Sequence, residues 1–206
     1  MSTTVAAYQL VETDEGVRGR HTRIPLEDLG EGDVLIRVTH SSVNYKDGLA
    51  ATGRAPIARR LPLVGGCCAA GTVVEPGESG LPADTVVAVV GATLSEQHNG
   101  GYCEYLRVPA AWVVAVPEAF TSRQAAAIGT AGVTSAMAVV KLEDAGVTPE
   151  SGPIAVTGAS GGAGSLAVAL LAARGYEVTA LTGKPEAEDL LRDLGAANVA
   201  PRPDTS

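Results

Sequence analysis

The residues with the most obvious chemistry lie in VTGASGGAGSLAVALLAARGYEVTALTGK, which runs from Val156 to Lys184. Three chemistries share its opening. Gly158-Ala159-Ser160-Gly161-Gly162 fits the nucleophile elbow G-x-S-x-G, which exposes a serine for acyl transfer. Thr157-Gly158 followed by Gly162 and Gly164 fits a T-G-x-x-x-G-x-G turn. Gly162-Ala163-Gly164-Ser165-Leu166-Ala167 fits the dinucleotide fingerprint G-x-G-x-x-G/A.

The rest of the chain selects among them. A hydrolase triad on a G-x-S-x-G elbow runs Ser, then Asp or Glu, then His. Here His21, His40 and His98 all precede Ser160, so no downstream base can activate its hydroxyl. Short-chain dehydrogenases place their glycine turn near the N-terminus and a Tyr-x-x-x-Lys pair after it. Most of this chain precedes the turn, and no Tyr-x-x-x-Lys occurs. The dinucleotide reading keeps its context: the apolar strand Ile154-Ala155-Val156, then glycines, then an apolar helix. Glycines without Cβ let the chain turn tightly and bring N–H groups to a pyrophosphate, and the helix N-terminus adds its positive dipole end. The next strand ends in Leu181-Thr182-Gly183-Lys184, where an NAD site usually has an acid for the ribose hydroxyls. A hydroxyl and a cation suit a 2′-phosphate instead, so NADP is expected rather than NAD.

These residues need elements to position them. Val5–Val11, Asp33–Thr39, Gly71–Glu75, Thr85–Val90, Tyr102–Val108 and Trp112–Val116 read as short strands between Gly, Pro and Asp turns. That spacing suggests a compact barrel-like β domain. After Pro117 the pattern turns helical, with helices expected from Thr121 through Ile128 and over Val133–Ala145. Strand Ile154–Thr157, helix Gly162–Arg174, strand Glu177–Leu181, helix Pro185–Leu194 and a strand from Asn198 then form a βαβαβ unit. The fold class is therefore α/β plus β, with domains expected over residues 1–118 and 119–206.

Composition narrows the partners. With net charge −8, the chain carries no overall basic footprint for nucleic acid or an anionic membrane. The N-terminus lacks the basic and apolar regions of a signal peptide, and no uninterrupted apolar run reaches about 18 residues. A soluble cytoplasmic protein is expected. Three cysteines, Cys67, Cys68 and Cys103, make neither a disulfide framework nor a C-x-x-C metal pair, and read as small buried hydrophobes.

Taken together, SSVNYKDGLA (Ser41–Ala50), GGYCEYLRVPAAWVVAVPE (Gly100–Glu118), AIGTAGVTSAMAV (Ala127–Val139), LEDAGVTPESGPIAVTGASGGAGSLAVALL and LTGKPE closely resemble the medium-chain dehydrogenase/reductase superfamily. Within it they are similar to the acrylyl-CoA reductase branch of the zinc-free quinone oxidoreductases. The resemblance implies a GroES-like β-barrel catalytic domain followed by a partial Rossmann domain. It implies NADPH-dependent reduction of an activated carbon–carbon double bond, of the acrylyl-CoA to propionyl-CoA type or in a quinone-like acceptor. Asn44 and Tyr45 become the catalytic candidates, with Tyr45 also beside the nicotinamide. The proton donor is Tyr45 or solvent. Ser160, Gly161, Gly162, Ala163 and Gly164 match the pyrophosphate turn. Thr182, Gly183 and Lys184 match the 2′-phosphate site, and Thr130 and Thr134 line the cofactor. No metal is implied: Asn44 replaces the first zinc ligand of zinc-dependent relatives, and Cys67 alone near a ligand position does not hold one.

Five positions depart from the family pattern, Gly65 standing where it has Pro. Gly65-Gly66-Cys67-Cys68-Ala69-Ala70-Gly71 stands where relatives read Pro-Gly-Ile-Asp-(apolar)-Ala-Gly, so Cys67 and Cys68 replace Ile and Asp. Asn99 replaces a frequent Trp, and Asn198 a common basic residue. Relatives also continue with further Rossmann strands and a return segment, so the chain reads as C-terminally truncated. A homodimer or association with a complementing chain is expected. The alternative function is a non-catalytic remnant, or one subunit of a split enzyme, acting as an interaction module through an open sheet edge.

Overall fold

The computed structural model describes residues 3–203. The chain forms two compact units, Met1–Thr130 and Ala131–Ser206.

In the first unit, β1 (Thr4–Thr13) and β2 (Gly16–Pro25) form an antiparallel hairpin with Thr4 opposite Pro25 and Thr13 opposite Gly16. The sequence pattern misses β2 because GVRGRHTRIP is an edge strand that buries only Ile24 and carries its charges outward. β4 (Leu63–Val64) pairs on the other side of β1. A second antiparallel sheet holds β3 (Val34–His40), β5 (Cys68–Glu75), β6 (Val86–Val90), β7 (Tyr105–Val108) and β8 (Val114–Ala115), in the order β7-β3-β5-β6-β8.

β3 is an interior strand, and its side chains alternate between two cores. Val34 and Ile36 pack with Val73, Val87, Val89 and Leu106, while Leu35 packs with Val5, Ile24, Leu29 and Val64. The strand expected over Tyr102–Val108 starts only at Tyr105. Its first residues turn to β1 instead, with Tyr8 N–H donating to the Tyr102 carbonyl at 2.8 Å and Glu104 N–H to that of Ala6 at 3.1 Å. The short helix α1 (Tyr45–Ala51) was not legible as a pattern, since seven residues around Gly48 give little periodicity.

α2 (Ser122–Asp144) breaks at Gly129, whose φ of 43° and ψ of −149° leave helical space, so one residue separates the two expected helices. Among the described residues it is the one helix long and apolar enough to cross a membrane, its apolar window having a mean hydropathy of 1.5. The glycines, threonines and serine that interrupt the apolar run by eye weigh little on that scale. The helix buries Ala126, Ser135 and Val139 but leaves Val133, Met137, Val140 and Leu142 exposed, with 28% of its apolar window buried.

The second unit continues with β9 (Ile154–Thr157), α3 (Gly162–Ala173), β10 (Val178–Thr182), α4 (Glu188–Asp193) and β11 (Asn198–Pro201). The strands are parallel in the order β11-β10-β9, a Rossmann-type sheet. Central Val178 and Ala180 are buried against Val168, Leu171, Tyr176 and Leu191. The edge strand β9 leaves Ala155 and Thr157 exposed.

Candidate functional site

In the second unit, the path from β9 to α3 is set by glycines. Gly158 has φ +60°, and a Cβ on Gly164 would stand 2.2 Å from the Gly158 carbonyl oxygen, so only glycine lets the helix start this close to the turn. Gly161 is the N-cap and offers no side chain, so the first N–H groups of α3, from Gly162, Ala163 and Gly164, lack a side-chain acceptor. A Cβ at Gly158 or Gly183 would meet nothing within 4 Å, so both border open space. A bare helix N-terminus beside an open glycine turn fits a dinucleotide pyrophosphate. Ser135, deeper in α2, steadies the arrangement by donating to the carbonyls of Ala131 at 2.8 Å and Ala163 at 2.7 Å.

Ser160 and Thr182 share a hydroxyl hydrogen bond of 2.8 Å, which ties the glycine turn to the end of β10. Thr182 is buried, and its Oγ1 also accepts from the Lys184 N–H at 3.1 Å. Although largely buried, Thr182 also lines the cleft next to this loop, and its hydroxyl shapes the loop that presents Lys184. Lys184 is exposed, and its ammonium makes no ion pair among the described residues. A cleft of about 330 Å³ adjoins this loop, lined by Gly183, Pro185, Glu188, Val199 and Arg202 among others. Arg202, whose N–H donates to the Thr182 carbonyl at 3.2 Å, was missed by the sequence reading. It lies one residue past β11, where only the pairing of β10 with β11 brings it to Gly183.

In the first unit, Asn44 precedes α1 and its N–H donates to Asp47 Oδ2 at 2.9 Å, one half of a capping box. Asp47 is buried, and its Oδ1 accepts from the Cys67 N–H at 3.1 Å. The Asn44 amide donates to Ser42 Oγ at 3.3 Å, Asp47 Oδ2 at 3.1 Å and Cys67 Sγ at 3.2 Å. Cys67 Sγ lies 3.4 Å from Thr130 Oγ1, and Cys68 Sγ lies 2.7 Å from Ser42 Oγ. The cysteines expected as inert filler are thus buried but woven into a polar network. Of the two, Cys68 is the more acidic, because Cys67 and then Ser42 hydrogen-bond its sulfur and outweigh burial. Cys67 is pushed up by serving in that bond and by burial. Burial, then the Asp47 charge, raises Tyr102, whose hydroxyl donates to the Ser42 carbonyl at 3.0 Å.

Tyr45 is 85% exposed and Thr134 is exposed, and neither hydroxyl has a hydrogen bond among the described residues. The structure joins Asn44 and Thr130 through Cys67 and leaves Tyr45 free at the surface. A cleft of about 690 Å³ in this unit is lined by Tyr8, His21, His40 and Tyr102 among others, and by none of the expected residues. Asn99 plays a structural part. It accepts from Val64 N–H at 2.9 Å and donates to the carbonyls of Leu29 at 2.8 Å and Asp28 at 3.1 Å. Among the described residues, no group of three or more His, Cys, Asp or Glu is placed to hold a metal ion.

Residues 30–118 match the alcohol dehydrogenase GroES-like domain family. Acrylyl-CoA reductase AcuI of Ruegeria pomeroyi is 45% identical over 180 residues, 87% of this chain and 54% of that protein. The putative quinone oxidoreductase YhfP of Bacillus subtilis is 42% identical over 204 residues, 99% of this chain and 62% of that one. The yhdH oxidoreductase from Salmonella enterica, solved in complex with NADP, superposes with a TM-score of 0.92 at 41% identity, covering 96% of this chain and 61% of that chain. The chain belongs to the medium-chain dehydrogenase/reductase superfamily. Bacillus subtilis yhfP with NAD bound superposes equally well, at TM-score 0.92 and 41% identity over 97% of this chain and 61% of that chain. This medium-chain dehydrogenase/reductase chain spans 54–62% of the length of these two curated relatives.

Proposed function

We propose that the chain serves an NADPH-dependent reductase of activated carbon–carbon double bonds, with an acyl-CoA thioester as substrate. The observation that carries this is the glycine turn, tied through Ser160–Thr182 to a loop that exposes Lys184 and whose Gly183 shares a cleft with Arg202. Those features fit the adenosine half of NADPH, and the relatives named above are named reductases or oxidoreductases, the Salmonella enterica protein solved with NADP and the Bacillus subtilis one with NAD.

Bound NADPH supplies the hydride. The N–H groups at the start of α3 take the pyrophosphate, and Lys184 with Arg202 takes the 2′-phosphate. In the first unit, Asn44 is held by Asp47 with its amide among Ser42 and Cys67, which fixes a donor in one orientation. The exposed Tyr45 phenol is the candidate that gives its proton to the α-carbon.

Titrating NADPH and NADH against the chain tests the reading, with tighter NADPH binding expected and equal affinities overturning the cofactor assignment. One observation favours a second reading in which NADH is also accepted. Glu188 lines the same cleft as Arg202, and a carboxylate there suits ribose hydroxyls and disfavours a phosphate. Glu188 is also paired with Arg192 at 2.8 Å. Glu188→Gln should widen the NADPH preference; an unchanged ratio would exclude this second reading.

A further inference from the structure

Residues 34–74 reverse the charge of the chain around them. They hold Arg37, Lys46, Arg54, Arg59 and Arg60 against one acid, Asp47, in a protein of net charge −8. Asp47 is buried and spends its oxygens on Asn44 and Cys67. Three of the cations, Arg54, Arg59 and Arg60, are exposed on the loop that follows α1. The guanidinium groups of Arg54 and Arg59 make no hydrogen bond or ion pair among the described residues, and Arg60 is engaged only through Nε, by the Gln97 carbonyl.

The loop is nonetheless held in shape. Gly53, at φ +66°, lies so close to β2 that a Cβ would stand 2.8 Å from the Val17 carbonyl oxygen. Arg54 N–H donates to the Leu49 carbonyl at 3.1 Å, and Arg59 N–H to that of Glu96 at 2.7 Å. Arg18 adds a cation from β2, its Nη1 donating to the Thr52 carbonyl at 3.1 Å. The bordering acids are already matched, Glu96 by Lys46 and Glu15 by Arg18 at 3.7 Å. Unpaired guanidinium groups on an ordered loop form a surface suited to phosphate oxygens, which their planar fork binds bidentately.

We propose that Arg54, Arg59 and Arg60 bind the phosphate-bearing end of a coenzyme A thioester. This rests on reading the chain as an acyl-thioester reductase, and it favours that substrate class over a quinone, which has no such handle. Helix α1 supplies the spacing. It separates Tyr45 from the arginine loop by seven residues, a rise of about 10 Å. The pantetheine arm is longer than that rise. An acyl group at the Asn44–Tyr45 end of α1 can therefore have its phosphates at the loop.

The test uses the full chain with NADPH at saturation, so that the adenine nucleotide portion of the probe does not enter the dinucleotide site. Coenzyme A is titrated into the parent chain and into R54Q/R59Q/R60Q. The triple variant should bind it about tenfold or more weakly, the scale of one or two charge-assisted hydrogen bonds. Added salt should weaken binding to the parent chain. The Lys counterpart R54K/R59K/R60K should recover part of the affinity, which separates lost charge from a disturbed loop. NADPH affinity should be the same in all three. Coenzyme A binding that the triple variant leaves unchanged, or no binding by a parent chain that holds NADPH, would overturn the proposal. If NADPH itself does not bind, the cofactor reading fails, and the same titration without NADPH still decides the arginine loop by the same criteria.

Discussion

Around the glycine turn, the groups that matter are main-chain N–H donors and Cβ atoms that must be missing, all within Gly158–Gly164. Around Asn44 they are two hydroxyls, an amide, a carboxylate and two thiols, drawn from residues 42–47, 67–68 and 130. The first arrangement is fixed by what the backbone can do, the second by which side chains the start of α1, the start of β5 and α2 bring into contact. Substitutions should therefore act differently on the two. Steric bulk should break the turn and spare the cluster; loss of a single acceptor should loosen the cluster and spare the turn.

The largest effect expected is that of Gly164→Val. Its Cβ would enter the space of the Gly158 carbonyl, 2.2 Å away, costing about 3 kcal/mol as overpacking at a backbone contact. NADPH binding should vanish with it. Gly162→Ala is the control, since its Cβ would meet Ala131 at an ordinary 3.5 Å. Urea melts of both variants check this, and equal losses would refute the steric account. Asp47→Ala should come next, at about 2 kcal/mol, because it strands the buried N–H of Cys67 and removes one half of the capping box. NADPH affinity should not move, and a parallel loss of it would blur the distinction drawn above.

Lys184→Ala should narrow the NADPH-over-NADH preference by about 1–2 kcal/mol, the scale of a charge-assisted hydrogen bond from an exposed ammonium. Thr182→Ala should instead act on loop stability, since that hydroxyl is turned inward to Ser160 and the Lys184 N–H. Paired cofactor titrations and melts separate the two roles.

The smallest effect is one of pH. Burial raises the pKa of Tyr102 and Cys103, and Cys67 is raised by its bond to Cys68 and by burial. Above about pH 8.5, where an ordinary thiol ionises, the unfolded chain releases protons that the folded chain retains, so stability falls as pH rises. Cys68, lowered by Cys67 and Ser42, has the opposite sign. Its contribution is present above the ordinary thiol range and is lost as pH falls through its depressed value. Melting temperature should peak near pH 8, and Cys68→Ala should flatten the acid side; a curve rising through pH 10 would contradict both.

This contrast also explains what the sequence revealed. The βαβαβ alternation and the glycine turn were legible because short-range backbone rules write them in contiguous residues. Strand β2 was not, because an edge strand paired on one side needs little apolar alternation. The thiol network was hidden for another reason. Cys67 and Cys68 look like buried filler until the fold sets Ser42, Asn44 and Thr130 against them. Arg202 was hidden likewise, since nothing in its neighbours says that β11 will lie beside β10.

The two sheets also differ in the loops that must close to make them. In the second unit Ile154 pairs with Val178 and Thr179 with Asn198, each across a single helix. In the first, Val34 must find Val108, with β5, β6 and the chain between them already laid out. Non-local pairing is slow, because loop-closure entropy is spent before any contact forms. The N-terminal unit, although synthesised first, is therefore expected to be the slower to fold. The glycine turn, made later, should be competent for its ligand while the strands around Asn44 are still searching for their partners.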